Sequence, residues 1–189
     1  MSTNYIFRIE ELGQEYNDRV GKKCANLGEM AKIGLRVPPG FALSLDAYRQ
    51  FMAETGAEKE INDYLNGLTH DFETIDHFDQ ASAELRRIVE SKEMPGEMRD
   101  RILSYYEEIG RKCNAKRVPV STRSAGASSH PGQYETHLNV IGEAELIRNI
   151  TRVWSSTFNA RSLSSRKRLG LRLGSDPIGV AVIKMVNAR

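Results

Sequence analysis

Cysteine is scarce in this chain, with only Cys24 and Cys113 among 189 residues. Two thiols so far apart form neither a metal-ligand spacing nor a disulfide framework, so they read as small buried hydrophobes and redox chemistry is not indicated. No uninterrupted apolar run approaches the roughly 20 residues that span a bilayer, and no apolar signal core precedes Glu10 and Glu11. The expectation is a cytoplasmic protein with no membrane partner. An excess of charge of one sign is lacking too: 27 Lys and Arg face 25 Asp and Glu, a formal charge of +2. This near-balance gives no general electrostatic case for nucleic acid, so any anion site must be local. Two further signatures are missing, since neither G-x-x-x-x-G-K-[ST] nor G-x-G-x-x-G occurs, and there is no internal repeat.

What is present is a mixture of helical and strand patterns. Tyr5 to Ile9 alternates bulky apolar and polar residues, as an opening strand does; Cys24, Leu27, Met30 and Ala31 then recur at helical spacing up to Gly34. Leu35 to Leu43 reads as extended, because Pro38 and Pro39 disfavour the helical region in the residues before them. Ser44 is a candidate N-cap for a helix carrying Leu45, Tyr48, Phe51 and Met52 and ending near Gly56. The stretch 58–113 is helical in texture and shows no chemistry; Pro95 sits just inside its last helix and Gly110 just past that helix's end. From Val118 a hairpin-like pattern follows, with Thr136 to Val140 as its second strand. A helix with Leu146, Ile147, Ile150, Val153 and Trp154 on one stripe comes next, then a second from Thr157 to about Arg168, and an apolar run from Ile178 to Val186 that looks like a central strand. Without regular βαβ alternation, these elements indicate an α+β architecture. The stop at Arg189, straight after that strand, suggests part of a longer protein.

Two segments carry candidate chemistry. The loop from Ser121 to Gly132 is rich in small and hydroxyl residues around a single Arg123; such a loop either cradles phosphate or is a solvated turn. In Gly21-Lys22-Lys23, just before a helix, lysine charge adds to the positive helix N-terminus, which again suits a triphosphate or is simply a solvated helix start. Among the histidines, His70 and His77 fall in a polar link between helices and should be exposed. His137 should face away from Thr136, and His130 lies within the candidate loop. The basic cluster Arg161, Arg166, Lys167, Arg168 and Arg172 lacks interleaved aromatics and reads as a solvated helix face or a domain-docking surface.

Taken together, these segments resemble a known family. Gly21-Lys22-Lys23-Cys24-Ala25-Asn26-Leu27-Gly28-Glu29-Met30 followed by Gly34-Leu35-Arg36-Val37-Pro38-Pro39-Gly40-Phe41 is similar to the opening of phosphoenolpyruvate synthase and related dikinases. Val120 to Gly126 and Ser129 to Gly132 resemble the V-S-V-R-S-G-A and S-M-P-G loop of pyruvate phosphate dikinase. Gln133 to Val140 resembles the corresponding strand of the synthases and of rifampin phosphotransferase. Trp154-Ser155-Ser156 to Arg161 and Val180 to Val186 are similar to further family segments, so that the resemblance covers nearly all of the chain outside the helical middle.

The resemblance implies an ATP-grasp-like fold with a helical insertion, residues 58–113, between the first strands and the phosphate-loop hairpin. Residues 1–189 would form the N-terminal part of the ATP-binding domain, with the rest of that domain and a phosphohistidine domain absent. It implies that Lys23 and Arg123 bind phosphate, Arg123 also acting in catalysis, and that Gly132, Thr136 and Ile183 line the nucleotide site. It implies ATP and magnesium as cofactors, the metal ligands lying outside this chain. It also implies phosphorylation of a histidine on a swivelling domain of the same polypeptide or of a partner subunit, and transfer onward to a small acceptor such as pyruvate, an antibiotic, a phenol or a glucan. Alone, the chain would be inactive. Lys22 replaces a family glycine and Ile183 a family glutamine, which favours a rival reading as a non-catalytic nucleotide-sensing or assembly module.

Overall fold

A computed structural model describes residues 4–68, 72–126 and 134–186. Its single sheet has five strands, β1 (Ile6–Arg8), β2 (Gly40–Leu43), β3 (Val120–Ala125), β4 (Thr136–Val140) and β5 (Gly179–Lys184), all neighbours antiparallel in the order β1-β2-β5-β3-β4. The apolar run read as a central strand is therefore the middle strand, and the hairpin-like pattern is a true β3–β4 antiparallel pair.

The α+β reading holds. In chain order the helices are α1 (Asn17–Val20), α2 (Lys22–Lys32), α3 (Leu45–Glu54), α4 (Ala57–Gly67), α5 (Ile75–Glu90), α6 (Gly96–Lys112), α7 (Glu143–Ser155) and α8 (Ala160–Arg168). Alternation along the strands divides the sheet's neighbours. Ile6, Phe41, Leu43, Val120, Val180 and Val182 face a large core built with α3 to α8, whereas Phe7, Ala42, Ala125 and Ala181 face a smaller one with Val20 and Cys24. Residues 58–113 contribute Ile61, Leu85, Ile88 and Ile102 to the main core. At its centre the fully buried Trp154 of α7 packs against Phe51, ring centroids 4.9 Å apart, and edge-on against Tyr48 at 6.2 Å. Ile150 and Leu146, one and two turns before it, are completely buried, each stabilising by about 1.5–3 kcal/mol.

Several local expectations need correction. Gly110 lies inside α6, where its missing side chain lets the Ala115 carbonyl oxygen approach within 2.8 Å of a Cβ position, and Pro95 is that helix's N-cap residue. Ser44 occupies the N-cap of α3 but its side chain makes no capping bond. The helix expected from Thr157 begins at Ala160, after a 3-10 turn, because the Asn159 side chain accepts from the Ser162 backbone N–H and fixes the start there. His77 is in the first turn of α5, half-buried, not in the link; Thr74 caps that turn by accepting from its N–H. His70 and His130 lie outside the described residues. No helix among the described residues is long and apolar enough to cross a membrane.

Candidate functional site

The second candidate segment starts at Gly21, the N-cap of α2, held at φ +80° and ψ 152°. That combination is accessible essentially to glycine alone. A Cβ there would also meet the Gly126 carbonyl oxygen at 2.6 Å and the Gly126 nitrogen at 2.8 Å. The backbone at the end of β3 therefore lies directly against the start of α2. Two segments a hundred residues apart in the chain meet at that point, each bringing its basic residues. Lys22 and Lys23 are already helical and exposed, in the first turn of α2, where free N–H groups and the helix dipole favour an anion.

The buried face of α2 is only in part the one its sequence pattern marked. Cys24, Ala25 and Gly28 are buried, while Met30 is 41% exposed. Small residues win because the helix packs close to the preceding turn: a Cβ on Gly28 would stand 2.3 Å from the Leu12 carbonyl oxygen. This close seating fixes the direction of the helix and of its N-terminus. Cys24 fits its reading as a buried hydrophobe, since burial pushes its thiol up to about 12, with Arg123 and Lys23 acting in the opposite direction. Both cations are near enough to be felt at that sulfur.

Arg123 is not in a loop. Residues 121–125 belong to β3, which pairs with β5 on one side and β4 on the other, and this double pairing overrides their small, polar, turn-like composition. Arg123 stands opposite Ala181 of β5 and Thr136 of β4, and Ser121 opposite Ile183. Opposed residues and residues two apart share a face, so Ser121, Arg123, Thr136 and Ile183 all project on the α2 side. Ile183 is half-buried at the margin of the smaller core, and Thr136 is exposed on the edge strand. His137 pairs with Thr122 and faces the other way, as expected from its position after Thr136. A bulge follows, with Asn139 at φ +55°.

Lys22, Lys23 and Arg123 have no ion pair among the described residues, and they lie close together, Lys23 and Arg123 both acting on the Cys24 sulfur. The Arg123 Nε is buried and has no hydrogen-bond partner among them. An unmatched guanidinium donor, two lysines and a helix N-terminus converge on one side of the sheet. That donor set is suited to the oxygens of a polyphosphate. Gly132 lies outside the described residues. Sequence reasoning missed Ser121 as a neighbour of Ile183, and missed the backbone contact at Gly21; the lone glycine before two lysines was its only signal.

The chain is 34% identical over 193 residues to the probable phosphoenolpyruvate synthase of Methanocaldococcus jannaschii, an overlap covering 99% of the chain and 16% of that protein. It is 34% identical over 200 residues to the phosphoenolpyruvate synthase of Aeropyrum pernix, covering 100% of the chain and 24% of that protein. It is 31% identical over 189 residues to the rifampicin phosphotransferase of Streptomyces sviceus, covering 98% and 21%. The chain thus spans a quarter or less of the length of these relatives. The profile of the pyruvate phosphate dikinase AMP/ATP-binding domain matches residues 17–189, a span that contains both basic segments of the site, and the chain belongs to that family.

Proposed function

We propose that this chain is the nucleotide-binding part of an ATP-dependent phosphotransferase of the phosphoenolpyruvate synthase and pyruvate phosphate dikinase type, with an ATP-grasp-like fold. The observation that carries the reading is the backbone contact of Gly21 with Gly126, which brings together Arg123, Lys22 and Lys23, none of which has an ion pair among the described residues. Arg123 would bind phosphate oxygens through its guanidinium, and Lys23 together with the first-turn N–H groups of α2 would bind those oxygens from the helix side. Thr136 and Ile183 would border the nucleotide, with Gly132 in the connecting segment. Positioned charge of this kind accelerates phosphoryl transfer by neutralising the transferring group.

When bound, ATP would supply the phosphoryl group, and magnesium, with ligands outside these residues, would add positive charge beside its phosphates. The acceptor on this reading is a histidine of a swivelling domain, in the same polypeptide or a partner subunit, from which the group passes to a small molecule in the cytoplasm. One observation favours a second reading. Ile183 presents only carbon at the margin of the site, where a base-reading residue would carry a donor or acceptor, which suits a module that senses nucleotide without catalysis.

Titration of the chain with ATP, followed by backbone amide NMR shifts, tests binding. Shifts centred on Gly21 to Cys24 and Ser121 to Gly126, lost in Arg123→Ala, are expected. Shifts confined to the helical layer would overturn the site.

A further inference from the structure

The basic cluster near the end of the chain does not behave as one solvated face. Arg161, Lys167 and Arg168 are exposed, but Arg166 is only 5% exposed, in the core-facing row of α8 with Ser162 and Leu163. Its Nη2 donates to the Thr157 carbonyl oxygen and its guanidinium lies 5.5 Å from the Phe158 ring centroid. A guanidinium keeps its charge, so burial must be offset by neighbouring negative charge. Burial pulls the pKa of Arg166 down, and Asp176 is foremost among the groups opposing that pull.

Asp176 in turn accepts a hydrogen bond from the Tyr134 hydroxyl. Burial above all, and then Asp176, push that hydroxyl's pKa up, so it remains a donor. Glu135 is fastened as well: its N–H donates to Ser156 Oγ at 3.2 Å and its carboxylate meets the Arg86 guanidinium at 2.6 Å. These two residues lead straight into Thr136. They do so on an edge strand, paired on one side only and bulged beyond His137, which is where a strand frays unless something outside the sheet holds it.

We propose that Tyr134 and Asp176, together with the Glu135 contacts to Ser156 and Arg86, form a strut, rooted in the main core through the Tyr134 ring, that holds the start of β4 so that Thr136 stays opposite Arg123. Tyr134 and Asp176 are then positioning residues for nucleotide binding; this second half rests on the reading of the Arg123 face as the nucleotide site. The strut connects the core face of the sheet to the site face, since Tyr134 is anchored on one side and Thr136 projects on the other.

Hydrogen exchange and ATP titration of the 189-residue chain test both halves. Tyr134→Phe keeps the ring and removes the donor, and Asp176→Ala removes the acceptor. Each should speed exchange of the Thr136 to Val140 amides about tenfold while β1 and β2 stay unchanged, and the double variant should be no faster than either single one. ATP affinity should fall about fivefold in the same variants. Asp176→Asn, which keeps an oxygen for the Tyr134 hydroxyl, should restore most of both. Unchanged exchange in Tyr134→Phe would overturn the strut. Faster exchange with wild-type ATP affinity, in a protein where Arg123→Ala does lose affinity, would overturn the positioning role. If Arg123→Ala binds ATP as the wild type does, the nucleotide reading and the positioning role fall together, and the exchange data alone uphold or overturn the strut.

Discussion

Gly21 and Gly126 approach so closely that a single added carbon on Gly21 would overlap the Gly126 carbonyl oxygen at 2.6 Å. Gly21→Ala combines this backbone collision with a conformation costing roughly 1–3 kcal/mol for a residue with a side chain. A loss of at least about 2 kcal/mol is expected, which lowers the midpoint of thermal unfolding by roughly 4–8 °C in a chain of this size. Circular dichroism melting checks it. A variant as stable as the wild type would mean that α2 and β3 are free to separate.

Arg123→Ala and Lys23→Ala should each weaken ATP binding with the fold intact, because neither side chain has a carboxylate partner among the described residues whose loss would unsettle the protein. Removing one charge-assisted phosphate contact costs about 1.5–3 kcal/mol, or roughly ten- to a hundredfold in affinity. Lys22→Gly should be mild. Calorimetric titration of the three variants decides, and a severe loss in Lys22→Gly with none in Lys23→Ala would reverse the assignment of the lysines.

At Ile183 the expectation concerns selectivity. An apolar side chain rejects a wrong base poorly, whereas a hydrogen-bonding one rejects it strongly. Wild-type protein should therefore bind ATP and GTP with similar affinity, and Ile183→Gln should separate them. Equal ratios in the two proteins would place Ile183 out of reach of the base.

The order of the elements was legible in the sequence because most of them are set by local pattern: the apolar run around Val180 reads as a central strand, and β5 is the middle strand of the sheet. The site was legible only in pieces. Ser121 to Ala125 looked like a loop because their side chains are small and polar, and what makes them a strand is pairing with β5 and β4, which no window around them contains. Arg166 was grouped with its solvated neighbours as one basic run, although its spacing from Ser162 and Leu163 placed it on their buried face. Composition hid it, and periodicity would have revealed it.

Acid should expose another long-range link. The Arg8 guanidinium donates to both oxygens of Glu108, at 2.8 to 3.0 Å, and with Lys112 beside it holds that carboxyl down at about 2, against an ordinary value of 4.5. Because the folded-state value is the lower one, this stabilisation is complete above about pH 4.5 and is lost as pH falls through about 2. Allowing for solvent screening of a pair whose arginine is 39% exposed, it is worth about 1 kcal/mol. Glu108→Gln should melt roughly 2–4 °C lower at pH 7, and the gap should close between pH 4.5 and 2. A gap that persists at pH 2 would assign the effect to packing.

The position of β5 sets the order of events when the chain first folds. Of the five strands it comes latest in the chain, and it alone pairs with both β2 and β3, so until it arrives β1–β2 and β3–β4 are separate two-stranded ribbons. Ribbons of that size are marginal in water. The link between them requires Gly40 to find Ile183 across about three quarters of the chain, a costly loop closure that slows folding. On the ribosome, both inner edges therefore wait unpaired, open to any other extended chain, until synthesis has passed Lys184 and one strand closes the two at once.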